Sequence, residues 1–118
     1  MGRASAVSLA RLGADVVVTG TGRSPDRYPD DEKAVGWRDI ESTAEMVRAE
    51  KRSALPLVVD ISDAAQVQSM VDQTMSEFGR VDILVNNAAF AMEPAVRPIV
   101  DVDPDIFQKV LDVKVMGT

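Results

Sequence analysis

An apolar run, Val81-Asp82-Ile83-Leu84-Val85, ends in two side-chain amides, Asn86 and Asn87, and then two small residues, Ala88 and Ala89. Such a run suits a parallel strand buried on both faces. In open α/β sheets, ligands bind in the crevice beyond the carboxyl ends of such strands. There the amides offer donors and acceptors, and the alanines let a flat ligand approach the backbone. The same residues also suit a plain polar turn after a core strand. A second apolar run, Leu57-Val58-Val59, ends in Asp60, followed by Ile61-Ser62-Asp63. Gly2 heads an expected helix, where free N–H groups and the helix dipole can hold a phosphate.

The elements that position these residues follow from periodicity. Residues 3–12 are expected to form a helix with Ala6, Val7, Leu9 and Ala10 on its apolar face, and Gly13 fits the left-handed position past its end. A short buried strand is expected at 15–19. Residues 20–37 carry Pro25, Pro29 and several Asp, and are expected to be a loop. A helix over 39–50 places Ile40, Ala44 and Val47 together. The next strand, 57–60, would have Pro56 at its first position, where a missing donor is tolerated.

Ser62 is expected to cap a helix over 63–78, with Val67, Met70, Val71, Thr74, Met75 and Phe78 as a core stripe and Gly79 as its stop. After the strand at 81–86 comes a loop carrying Pro94 and Pro98. Asp103-Pro104 supplies a cap and a first-turn proline for the last helix, with Phe107, Val110 and Leu111 buried. Alternating helices and strands predict an α/β fold with a parallel sheet and right-handed crossovers.

Composition narrows the chemistry. The 118 residues suit one domain, and 46% apolar with 27% charged residues argues for a folded core. The net charge of −6, with scattered Lys and Arg, speaks against nucleic acid and against an anionic membrane surface. No Cys and no His are present, which removes disulfides, thiolate nucleophiles, zinc-thiolate sites and His-based triads. Asp26, Asp30, Asp31 and Glu32 leave a carboxylate cation site open, although a solvated loop suits them better. No run is long enough to span a membrane, and Met1-Gly2-Arg3 does not open a secretion signal, so the cytoplasm is the expected location.

Taken in order, these motifs resemble the short-chain dehydrogenase/reductase family, from Gly2 to Thr118. The resemblance implies a Rossmann-like doubly wound parallel sheet. It implies that residues 1–118 are part of an NAD(P)-binding domain whose first strand and carboxyl-terminal half lie outside this sequence. Asn86, Asn87, Ala88 and Ala89 match the family's Asn-Asn-Ala-Gly, which lines the adenosine ribose side of the cofactor, with Ala89 in place of glycine. Asp60 and Ile61 match the pair that holds the adenine, and Gly2 matches the end of the glycine turn that cradles the pyrophosphate.

Gly20 stands where NAD-preferring members carry an acid. Thr21, Arg23 and Ser24 could instead surround a ribose 2′-phosphate, which leans the cofactor from NAD toward NADP; a merely solvated Arg23 is the other reading. The family's catalytic Ser and Tyr-x-x-x-Lys have no match. Tyr28, the single tyrosine, has no Lys four residues on, so the fragment is expected to be inactive alone. Lys114 stands at the family's catalytic Asn, and its spacing from Phe107 places it on the buried face of the last helix, either as a catalytic group in the active site or with its stem packed and its head reaching solvent.

The family would act on a nicotinamide cofactor and a small alcohol or carbonyl substrate, as a homo-oligomer. A non-catalytic nucleotide-binding module is the alternative. A receiver-like signalling domain is more distant, because Gly20-Thr21-Gly22 stands where it needs paired acids.

Overall fold

A computed structural model describes residues 1–90 and 98–118. Helix α1 (Gly2–Arg11) precedes strand β1 (Val16–Gly20), short helix α2 (Asp30–Ala34) and helix α3 (Ile40–Ala49). Strand β2 (Ala54–Val58), helix α4 (Ala64–Phe78) and helix α5 (Pro104–Leu111) follow. The sheet is parallel, with Val16 opposite Ala54 and Gly20 opposite Val58. Parallel neighbours need a crossover, and α3 supplies it.

The core lies where α1 and α3 meet each other and the sheet. Val7 and Ala10 of α1, and Thr43, Ala44 and Val47 of α3, are buried. These are the faces that helical spacing predicts, with Thr43 added. Gly13, at φ 98°, takes the left-handed position expected after α1.

Both strands are displaced from their predicted places. β1 starts one residue later than expected because Asp15 ties the sheet's entrance instead. Its carboxylate accepts from the Ser53 N–H at 2.8 Å and from Arg52 Nη2 at 2.9 Å. β2 starts earlier, so Pro56 sits inside the strand and not at its head. The backbone of Ser53 and of Val59 bonds to β1, so strand parity turns Pro56 outward, where no donor is needed.

Residues 20–37 are less irregular than expected. A 3₁₀ turn spans Pro25–Arg27, and α2 forms behind Pro29, with Asp30, Asp31 and Glu32 in its first turn and Lys33 in its last. That charge order complements the helix dipole. Asp63, not Ser62, caps α4. Its Oδ1 accepts from Ala65 N–H at 2.9 Å and Gln66 N–H at 3.2 Å. Gln66 returns the contact, its Nε2 donating to Asp63 Oδ2 at 2.9 Å and its Oε1 accepting from Asp60 N–H at 2.9 Å. Gly79, at φ 72°, ends α4 as expected.

The second half departs most from the pattern. Residues 81–86 join no sheet among the described residues, and Val81, Ile83, Leu84 and Val85 are exposed. Strands need a neighbour's donors and acceptors, and here a cleft of about 1300 Å³ separates Val81–Val85 from Val16–Val18 of β1. The strand order 3-2-1-4 implied by the resemblance places a strand in that gap. Most of the α4 stripe lines the same cleft, with Thr74 buried, Val67, Met70 and Phe78 half-buried and Val71 exposed, while Met75 is exposed outside it.

Asp103 caps α5 by accepting from the Asp105 N–H at 2.8 Å, with Pro104 in the first turn, as expected. Phe107, however, is exposed, while Val110 and Leu111 are half-buried. Beyond Leu111 the helix widens into a π-turn over Asp112–Met116. Lys114, seven residues on from Phe107, shares its exposure, so the face counted from Phe107 is not a buried one. Lys114 is exposed, contrary to its expected burial. Pro94 of the expected loop lies outside the described residues.

Candidate functional site

The cleft runs along β1 from Gly13–Asp15 to the carboxyl end of the strand, and that end gathers several of the predicted residues. Gly2, Arg23, Ile61, Asn86, Asn87 and Ala88 line it, together with Arg3, Glu32, Trp37 and Asp39. Gly20, Thr21, Ser24, Asp60, Ala89 and Lys114 do not line it.

Helix α1 brings Gly2 to the rim. Met1 offers no side-chain cap, so first-turn N–H groups have no side-chain acceptor. A β-carbon on Gly2 would fall 2.7 Å from Asn87 Nδ2, so the glycine lets the helix start close against the Asn87 amide. A small cradle results, with backbone donors on one side and a carboxamide on the other. Such a cradle fits an anionic diphosphate. Gly117 plays a similar part across the cleft, where a β-carbon would lie 2.9 Å from the Ile61 carbonyl oxygen.

Asp60 is engaged by its own turn. Ser62 donates to Asp60 Oδ1 through its N–H at 3.0 Å and its hydroxyl at 2.6 Å. The Ser62 hydroxyl, then its N–H, hold the Asp60 carboxyl below the usual carboxylate range, and Lys109 adds to this. The Gln66 side chain, then the Gln66 and Ala65 N–H groups, do the same for Asp63. Ser24 is likewise engaged within its loop, donating to Asp26 Oδ2 at 3.0 Å.

Arg23 is not a free cation. Its Nη2 donates to Asp39 Oδ1 at 3.0 Å and to Glu32 Oε2 at 3.3 Å, and its guanidinium lies 5.3 Å from the centre of the buried Tyr28 ring. The Asp39 hydrogen bond, then the charges of Asp39 and Glu32, raise its pKa further above the usual arginine range. Glu32 of the acidic cluster is therefore an ion-pair partner, and Asp30 pairs with Lys33 at 3.9 Å. Among the described residues no group of carboxylates is arranged to hold a metal.

Sequence reasoning passed over Asp39 and Trp37. Trp37 lines the cleft beneath the Arg3 guanidinium, which lies 4.4 Å from its ring centre. Asp39 stands at the start of α3 with φ 49°, a conformation uncommon for a side-chain-bearing residue. The signal available in the sequence was an acid directly ahead of the helix that follows the loop.

The family profile described as enoyl-(acyl carrier protein) reductase matches residues 1–118. The short chain dehydrogenase/reductase astE of Aspergillus oryzae is 35% identical over 118 residues, covering 99% of this chain and 39% of the relative. Carveol dehydrogenase from Mycobacterium avium, solved in complex with NAD, superposes with a TM-score of 0.79 at 27% identity, over 98% of this chain and 40% of that one. A short chain dehydrogenase from Mycobacterium paratuberculosis bound to NAD gives a TM-score of 0.77 at 32% identity, over 98% and 41%. This chain thus spans about two fifths of each of these relatives. The incomplete parallel α/β fold is Rossmann-like. From its cradle at the sheet's carboxyl end to its match along the whole length, the chain belongs to the short-chain dehydrogenase/reductase family.

Proposed function

We propose that this chain supplies the dinucleotide-binding surface of an oxidoreductase acting on a small alcohol or its carbonyl counterpart. The observation that carries the reading is the cradle formed by the uncapped start of α1, Gly2 and Asn87, set at the carboxyl end of a parallel sheet. The α1 N–H groups would hold the pyrophosphate. Ile61 and Ala88 would pack against the adenosine, and the carboxamides of Asn86 and Asn87 would orient its ribose. Bound there, a nicotinamide cofactor supplies hydride chemistry. Asp60 serves this surface indirectly, by fixing the turn that presents Ile61.

Lys114 is exposed and does not line the cleft, although Gly117 and Thr118 close behind it do. Among the described residues no helix is long and apolar enough to cross a membrane. A cytoplasmic homo-oligomer is part of the same proposal.

The test uses the full-length protein. NAD or NADP should bind saturably and change the emission of Trp37, the single tryptophan of these 118 residues. Addition of an alcohol panel should then reduce the nicotinamide. Absence of binding by either dinucleotide would overturn the reading. Binding without turnover on any alcohol or carbonyl would favour a non-catalytic nucleotide-binding module.

A further inference from the structure

We propose that Asp39, projecting from the start of α3, is the carboxylate that selects an unphosphorylated adenosine ribose, so that the protein prefers NAD to NADP. The inference rests on the cofactor-binding reading above.

Gly20, at the end of β1, cannot carry a selecting side chain. A β-carbon there would meet Ile40 Cγ2 at 2.8 Å. The same β-carbon position lies 3.7 Å from Asp39 Oδ2. The carboxylate absent from the strand end is thus delivered to nearly the same place from the following helix. Asp39 does not use its side chain to cap α3, and it retains only 19% of its side-chain exposure. A carboxylate so placed accepts hydrogen bonds from the two hydroxyls of a ribose diol without needing a proton of its own.

Arg23 supports the same choice. It lies between Asp39 at 3.0 Å and Glu32 at 3.3 Å, so this corner holds two carboxylates against one guanidinium. A phosphate monoester carries about −1.5 to −2 charges near neutral pH. It would have to draw Arg23 away from both partners and then face them unpaired. Arg3, another cation lining the cleft, is held over the Trp37 ring. The sequence-based lean toward a 2′-phosphate counted Arg23 without its two partners.

The experiment is isothermal titration of the full-length protein with NAD and with NADP, repeated for Asp39→Asn and Glu32→Gln. Asparagine keeps the shape of Asp39 and tolerates positive φ, so folding is preserved, and circular dichroism checks it. Wild type should bind NAD about tenfold or more tighter than NADP, the scale of one charge-assisted contact. Asp39→Asn should weaken NAD, strengthen NADP and bring the ratio close to one. Glu32→Gln should strengthen NADP while leaving NAD within about twofold. A wild-type preference for NADP, or equal changes for both dinucleotides in Asp39→Asn, would overturn the role of Asp39 and leave the cofactor reading intact. If neither dinucleotide binds wild type, both readings fall together.

Discussion

Val47 and Leu84 both sit in apolar patterns that read as core, yet Val47 is 0% exposed and Leu84 is 72% exposed. The first lies on α3, where the sheet and α1 close over it. The second lies in a segment whose neighbouring space is a cleft. An apolar pattern declares which face needs cover. It does not supply the cover, which depends on what else the chain brings to that place.

This contrast sets the largest expected effect. The isolated 118-residue chain should unfold without a single cooperative thermal transition, because β1 offers an unpaired edge and residues 81–86 have no partner strand. Val81, Ile83, Leu84 and Val85 also stay exposed, and each such side chain left uncovered forgoes about 1.5–3 kcal/mol of burial, against a domain stability of about 5–15 kcal/mol. Calorimetry showing one sharp transition would erase the distinction between the two regions.

Point substitutions sharpen it. Trp37 reports on the first region, so urea titration of its fluorescence can follow that region alone. Val47→Ala should lower its stability by about 2 kcal/mol through the cavity left behind. Leu84→Ala should change the same signal by less than about 0.5 kcal/mol. Equal effects would mean that the two regions share one core.

A smaller effect is expected at Gly20. Gly20→Ala should cost about 1 kcal/mol, because its methyl group meets Ile40 and α3 must give way. The fluorescence midpoint measures this, and an unchanged midpoint would show that α3 sits farther from the strand end.

The smallest effect belongs to acid titration. The carboxyls of Asp60 and Asp63 both titrate below their ordinary values in the folded chain. Their contribution is therefore complete above about pH 4, the unfolded value, and is lost as pH falls through their lower folded values. Helical circular dichroism should fall in that acid window, and Asp63→Asn should remove part of the change. A loss of helix centred well above pH 4 would contradict the assignment.

Legibility in the sequence followed the range of each interaction. Asp103-Pro104 and Gly79 announced helix ends because capping is settled within a few residues. Ser62 and Asp63 are adjacent acceptors, and only the return contact from Gln66 decides that Asp63 caps. Pro56 looked like a strand's first residue, but its tolerance depends on which side of β2 carries the ladder. The parallel α/β pattern was legible from alternation, while the Rossmann-like order and the open cleft beside β1 were legible only through the resemblance.

At the site, Asn86, Asn87 and Gly2 were read from local chemistry, and the contact between Gly2 and Asn87 joins distant parts of the chain. The pairing of Arg23 with Asp39 spans 16 positions through a loop with its own short helix, so no periodicity reveals it. Lys114 was misplaced because Phe107, from which its face was counted, is itself exposed.

Hydrogen exchange of the full-length protein, with and without saturating NAD, tests whether the end of this cleft around Gly2, Ile61 and Asn86–Ala88 is the dinucleotide site. Exchange should slow at residues 2–5, 61 and 86–88 on NAD addition, with the exposed turn around Lys114 unchanged. Slowing confined to other segments, with no change at Gly2, Ile61 or Asn87, would contradict it.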